Sequence, residues 1–421
     1  MQKEGKYIEY KETVSKTFLK AVSAFANYND GKIIFGVCDD GLVKGLPDAN
    51  KACLDIENAI NDSITPVPEY DIVVNKRNKT VILNIYKGSE TPYIYHGKAY
   101  RRSDTASVPV DSVELKRLVL KGTNRDFEAL PANSKELSFS VFEKELKNTL
   151  QIDKFDKDIQ KTLGLYVKDV GYNIAAELLS DKNDYRGIDI IRFGETEDRI
   201  MDRETFEHQS IIAEYNNSIT IYRKYYQYDE IKGIKRETIE MIPEKAFREA
   251  LANALIHRMW DIPAAVQVAM YKDKIKITSP GGLPEDISEE EYLHSQVSVL
   301  RNPKLAEAFL KLNYIEKFGT GVRRIINAYK NEYQKPEFSF TEHTICVTLP
   351  VIEKNKTDDM AEIVLKVIVG SDEMTRKEIE EITGIKKATL IRILNKLLND
   401  GIIRKKGLTR NTRYYKNLRS I

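Results

Sequence analysis

No apolar run in this sequence is longer than a β-strand. Lys32–Ile33–Ile34–Phe35–Gly36–Val37 is among the longest, and turn signals close it on both sides: Asn29–Asp30–Gly31 before it, Asp39–Asp40–Gly41 after it. A membrane-spanning helix needs about 20 consecutive apolar residues, so no membrane partner is expected. The apolar residues must instead be shared among several cores, roughly two to four for a chain of this length. Three cysteines, Cys38, Cys53 and Cys346, lie far apart with no CxxC spacing. That argues against disulfides and structural zinc and for a reducing compartment. The first residues are charged and show no signal-peptide core, so the expected location is cytoplasmic.

Four segments follow from the hydrophobic periodicity. Residues 1–122 alternate strands and helices: a first strand near Tyr7–Lys11, a helix through Phe18–Phe25, strands at Tyr70–Asn75 and Thr80–Tyr86, a hairpin at His96–Gly97 and a helix over Ser112–Lys121. Residues 123–240 read as a polar, mostly helical connecting region with one strand at Ile188–Phe193. Residues 241–350 return to α/β order, with a helix from Pro243, strands at Val266–Tyr271 and Lys274–Thr278, and the glycine stretches SPGGLPED and FGTGVRR. A polar linker, VIEKNKTDD, precedes a small helical unit at 357–421. The fold class expected is therefore multidomain α/β.

The last unit carries a strong local charge bias. The whole chain balances 66 Lys+Arg against 64 Asp+Glu, yet between Ile385 and Ser420 eleven Lys/Arg face one acid, Asp400. Thr375 with Glu378 three residues on has the spacing of a capping box, and Gly384 turns the chain into a helix over Lys386–Asn399. In that helix Ile385, Leu390, Ile393, Leu394 and Leu397 form the buried stripe, leaving Lys386, Lys387, Thr389, Arg392 and Lys396 outside. Two short strands follow, with Arg410 at the hairpin tip. A helix–turn–helix followed by a hairpin looks like a winged helix, and clustered cations are what phosphate neutralisation requires. DNA is the expected partner. Such units often work in two-fold pairs on half-sites, an arrangement a homodimer would supply.

Glu249 and Asn253 in REALANALIHR stand one helical turn apart and share a face, with His257 continuing the line. This helix, then a glycine turn after a strand, then Gly-x-Gly before another helix, resembles the GHKL ATPase family, most closely the divergent branch found in bacterial regulators. The resemblance implies that Glu249 polarises the attacking water of ATP and that Asn253 ligates Mg²⁺ between phosphates. It also brings Gly281, Gly282, Gly319 and Gly321 close to the nucleotide. One departure stands out. The family's adenine-reading aspartate is replaced here by Ser279–Pro280, and Asp286 lies at the wrong spacing.

Near the N-terminus Glu9 and Lys11 fall on one face of the first strand, with Glu4 five residues before Glu9. Two carboxylates so placed could hold a divalent metal, bond a helix N-terminus, or stand in solvent. The string EYK, then AFANYNDGKIIFGVCDDGLVKGL, then PYIYHGKAYRRSDTA resembles the Schlafen/Alba-like DNA-binding domain over about the first 120 residues. In vertebrate Schlafens two glutamates at this spacing join an aspartate in a metal-dependent RNA-cleaving site. The resemblance therefore implies a trio of Glu4, Glu9 and Asp39, with Asp40 as substitute for the last, holding Mg²⁺ or Mn²⁺, and Lys11 neutralising phosphate charge. Cys38 sits where relatives often carry another acid. Arg101 and Arg102 are expected as phosphate contacts.

Taken together, the three segments look like a family of bacterial predicted transcriptional regulators. A DNA-binding regulator with a degenerate ATP-binding module is the expected function. A Schlafen-like metal-dependent nuclease acting on RNA or foreign nucleic acid, and an ATP-driven nucleic-acid remodeller, are the alternatives.

Overall fold

The computed structural model describes residues 4–232, 235–284, 287–294, 299–316, 320–332, 334–352, 356–371, 373–407 and 412–417. The first unit is a helix held between two sheets. One sheet runs Ile8–Lys11, Gly31–Phe35, Thr80–Ile85, Tyr70–Asn75 in spatial order, the first pair parallel and the others antiparallel. The other runs Ile64–Thr65, Ile94–Tyr95, Lys98–Ser103, Ala106–Pro109. The helix Phe18–Tyr28 is buried at every position from Phe18 to Asn27 except Lys20. Its two buried polar residues are therefore obliged to find partners. Ser23 and Asn27 both donate to the Tyr93 carbonyl, at 2.7 and 3.0 Å, and Asn27 Oδ1 accepts from Tyr93 N–H at 2.7 Å. Gly31 is a glycine because a Cβ there would run into the Phe25 ring. His96 and Gly97, both at positive φ, make the expected hairpin turn.

The second unit is larger than its sequence suggests. Six strands lie in the order Ile200–Phe206, Ile188–Phe193, Val266–Met270, Lys274–Pro280, Thr344–Pro350, Glu337–Phe340. Only the pair Ile188–Phe193 and Val266–Met270 is parallel. One continuous core runs from Phe139 to Leu349 and takes in the helices Ser140–Leu150, Ile211–Tyr226, Glu244–Ile256 and Pro303–Lys311. The expected connecting region at 123–240 is thus corrected. Its strands Ile188–Phe193 and Ile200–Phe206 complete the sheet, and its helices Ser140–Leu150 and Ile211–Tyr226 pack in the same core. A hairpin, Gln227–Lys232 with Lys235–Glu240, stands apart from that sheet.

The third unit has the order helix Lys356–Val369, strand Met374–Thr375, helix Arg376–Thr383, helix Lys387–Asn399, then strands Ile403–Lys406 and Arg413–Lys416. The three strands form one antiparallel sheet. The capping box forms as expected: Glu378 N–H donates to Thr375 Oγ1 at 3.3 Å, and Thr375 N–H to Glu378 Oε2 at 2.7 Å. The first helix starts at Lys356, so part of the expected linker is helical.

Candidate functional site

The helix Glu244–Ile256 presents Glu249 and Asn253 to the start of the helix Gly321–Ala328. Contact is close because position 321 has no side chain. A Cβ there would lie 2.5 Å from Asn253 Nδ2 and 2.7 Å from Glu249 Oε1. Apolar side chains, among them Ile256, Ile287, Tyr292, Val299 and Ile315, wall the pocket in front of these groups. It holds about 80 Å³ of free space, little beside the roughly 300–1,000 Å³ of small-molecule sites. Glu249 is 6 % exposed. Its burial pushes the carboxyl above the usual range, against the pull of Arg324, whose guanidinium stands 3.4 Å from Oε2. Arg324 also pairs with Glu316. His257, a residue the sequence placed on the same line, lines the pocket as a neutral imidazole, since burial pushes it down to about 4.

Gly281 and Gly282 sit in tight surroundings. Gly281 takes φ +102° and donates to the His343 carbonyl at 2.7 Å, and a Cβ on it would lie 2.5 Å from Met259 Cγ. A Cβ on Gly282 would collide with the Glu342 carbonyl. Neither glycine is among the residues that line the Glu249 pocket. Arg301 straps this turn to the helix end, donating to the carbonyls of His257 at 2.6 Å and Gly282 at 3.0 Å. Ser279, at the position of the family's aspartate, is buried and donates to the Ala254 carbonyl at 2.7 Å, tying sheet to helix. Gly319 and Asp286 lie outside the described residues.

The N-terminal carboxylates do not converge. Among the described residues no three acids, histidines or cysteines form a group that could hold a metal, which corrects the trio Glu4, Glu9 and Asp39. Glu4 accepts from the Tyr10 N–H at 3.2 Å. Glu9, 6 % exposed, is neutralised by Lys11 at 2.7 Å and by Arg102. Arg102 also donates to Ser107 Oγ at 3.0 Å and the Gly5 carbonyl at 3.1 Å. Its side chain is 3 % exposed, so its expected phosphate contact is corrected as well: it is a core cation. Asp39 is exposed beyond the strand Gly31–Phe35, in a turn closed by Cys38 N–H to the Leu42 carbonyl at 2.9 Å. The acid that does approach this turn is Glu12, which the sequence reading missed. It pairs with Lys44 at 2.7 Å, lies 3.7 Å from Cys38 Sγ, and has its carboxyl lowered chiefly by the Lys44 hydrogen bond. Arg101 is half-exposed, with its Nε 3.4 Å from Glu114.

On the third unit Lys386, Lys387, Arg392 and Lys396 are exposed and Thr389 is half-buried. The adjoining strands add exposed Arg404, Lys405, Lys406, Arg413 and Lys416. Of these, Lys406 stands 3.7 Å from Glu373. Arg410 lies outside the described residues.

Two family models match separate parts of the chain. One, described as "Schlafen, AlbA_2", matches residues 4–111. The other, described as "Putative ATP-dependent DNA helicase recG C-terminal", matches residues 264–349. The crystal structure of the DIP2311 protein from Corynebacterium diphtheriae is 18 % identical, with a TM-score of 0.50. The alignment covers 98 % of this chain and 92 % of that one, a likeness of fold. The N-terminal domain of a RecG-related protein from Nitrosomonas europaea is 21 % identical over 24 % of this chain and 80 % of that one. Its TM-score is 0.18. No curated protein matches the sequence. No helix among the described residues is long and apolar enough to cross a membrane. The chain therefore joins a segment similar to Schlafen/AlbA_2 domains to a segment similar to a RecG-related ATPase-type region, both associated with nucleic acids.

Proposed function

We propose that this protein is a DNA-binding regulator, with the C-terminal winged helix as its main contact and an ATPase-type module that has lost efficient turnover. The observation that carries the reading is the cation set exposed on the helix Lys387–Asn399 and the following hairpin, on a scaffold whose apolar stripe is fully consumed by its own core. Such a helix lies in the major groove while hairpin cations meet the flanking phosphates. Each phosphate contact releases counterions, so five contacts would give a slope of log K against log salt of about −4 to −5. Replacing Lys386, Lys387 and Arg392 together by alanine should flatten that slope and remove most duplex binding in a gel-shift titration. Unchanged affinity in the triple variant would refute the reading.

The residues of the ATPase-type pocket fit a metal-bound triphosphate in part. Asn253 is a neutral oxygen donor of the kind Mg²⁺ takes, and the cradle at Gly321 lets backbone approach it closely. When bound, Mg²⁺–ATP would supply a polarised γ-phosphate. Glu249 would hold the water facing it, but the Arg324 guanidinium competes for that carboxylate, and Ser279 is committed to Ala254 rather than to a base. Weak binding with little hydrolysis follows. Mg²⁺–ATP at saturating concentration should raise the melting temperature by mass action beyond any rise that ATP gives in EDTA, and Asn253→Ala should abolish that Mg²⁺-dependent part. Turnover at ordinary ATPase rates would overturn the degenerate reading.

A further inference from the structure

A second cleft opens where the turn after Phe193 meets the turn after Met270, and it shares no lining residue with the Glu249 pocket. It offers about 370 Å³ of free space, inside the ordinary range for small-molecule sites of roughly 300–1,000 Å³. Its walls are aromatic and fixed. The rings of Phe193 and Tyr271 stack with centroids 5.1 Å apart and 24° between their planes. Tyr271 donates its hydroxyl to Glu197 Oε1 at 2.8 Å, Tyr225 donates to Asp202, and Tyr226 donates to the Tyr271 carbonyl at 2.6 Å. These bonds hold the rings and also occupy the neighbouring acids. Glu195 is taken by Lys272 at 3.3 Å.

The arginines are left over. Arg192 lies over the Tyr225 ring at 4.4 Å, and Arg199 lines the same cleft. Neither guanidinium has a carboxylate partner among the described residues. Planar guanidinium forks match phosphate oxygens in pairs, and preformed aromatic faces accept any nucleobase by stacking. We propose that this cleft binds a nucleoside phosphate, its base against Phe193, Tyr271 and Met201 and its phosphate between Arg192 and Arg199. Guanidinium charge meets the phosphate directly, so binding needs no divalent cation. A free mononucleotide and one nucleotide of a single strand carry the same chemistry.

Fluorescence anisotropy on the full chain in EDTA tests this, with N-methylanthraniloyl-AMP as one probe and a short fluorescein-labelled oligothymidine as the other. The oligothymidine is read in the Lys386→Ala, Lys387→Ala, Arg392→Ala background, which removes the winged-helix contribution. At least one probe should bind. Arg192→Ala with Arg199→Ala should weaken it about tenfold or more, as loss of charge-assisted phosphate bonds does. Tyr271→Phe should retain binding and Tyr271→Ala should lose it. A preference for the mononucleotide identifies a free ligand, and a preference for the oligonucleotide identifies a single strand. Arg199→Glu, at an exposed position, serves as a second variant with folding checked by its melting temperature. Failure of both probes, or parental affinity in folded Arg192/Arg199 variants, would overturn the proposal. Neither result bears on duplex binding by the winged helix.

Discussion

Arg102 stands where a metal ion would be needed if Glu9 belonged to an acidic centre, and it satisfies that carboxylate with protein charge instead. The guanidinium also lies 5.5 Å from the Phe25 ring, so it is packed as well as paired. Removing one partner of a buried pair leaves the other charged and uncompensated, at a cost of roughly 3–5 kcal/mol. Lys11 remains beside Glu9, so Arg102→Ala should fall near the lower end, about 3 kcal/mol, in denaturant titration of the first unit's transition. A cost under 1 kcal/mol would show that Lys11 alone suffices. The sequence held the signal for Arg102. In a strand its side chain shares a face with Tyr100 rather than with Arg101, and an aromatic at that parity marks the inner face. Asp39 gave no such signal. Whether it reached Glu9 depended on how the chain leaves the strand after Phe35, which the local pattern leaves open.

Elements governed by neighbours in sequence were legible; those governed by distant partners were not. The strand Ile188–Phe193 and the helix carrying Glu249 and Asn253 follow from periodicity, and so does the capping box. Membership of the sheet does not. Ile188 pairs with Val266 and Ile188 with Phe206, and no local pattern encodes a partner so far along the chain. The strand Ile200–Phe206 is mostly exposed, so it lacks even the apolar alternation that marks a half-buried strand. The turn at Gly384 shows how a local rule can be tested. It closes the helix Arg376–Thr383 at φ +67°, a conformation other residues adopt at a cost of about 1 kcal/mol. Nothing lies within 4 Å of a Cβ there, so Gly384→Ala should cost about that much through backbone strain alone. It should lower the third unit's melting temperature while leaving DNA affinity unchanged at temperatures where the unit is folded. A matching loss of affinity would mean that the turn itself touches DNA.

Across the whole molecule, the segment that leaves the first unit is anchored in the second by a buried carboxylate. Glu128, fully buried just beyond the first unit, accepts the N–H groups of Lys304 at 2.5 Å and Leu305 at 3.0 Å. It thereby caps the helix Pro303–Lys311, whose own N-cap Asn302 is turned away. Asn302 donates instead to the carbonyls of Ile256 at 2.6 Å and Arg258 at 2.9 Å. The segment around Glu128 is thus tied through one helix start to the end of the helix bearing Glu249 and Asn253, and Arg117 of the first unit pairs with Asp261 of the second at 2.6 Å. Burial outweighs the two N–H bonds and the Lys304 charge, with Asp126 adding repulsion, and raises the Glu128 carboxyl to about 7. Between the unfolded value near 4.5 and about 7 the folded protein holds the extra proton. This contribution is therefore fully present below pH 4.5 and is lost as pH rises through 7. The span corresponds to at most about 3 kcal/mol. Glu128→Gln removes the proton while keeping one carbonyl acceptor for the helix start. Thermal melts from pH 5 to pH 8 should show parent stability falling relative to the variant, most of the relative change coming between pH 5 and pH 7 and levelling off above 7. Other groups titrate in both proteins alike, so the difference isolates this carboxylate. Parallel pH profiles would mean that Glu128 stays ionised throughout and that its two N–H bonds outweigh its burial.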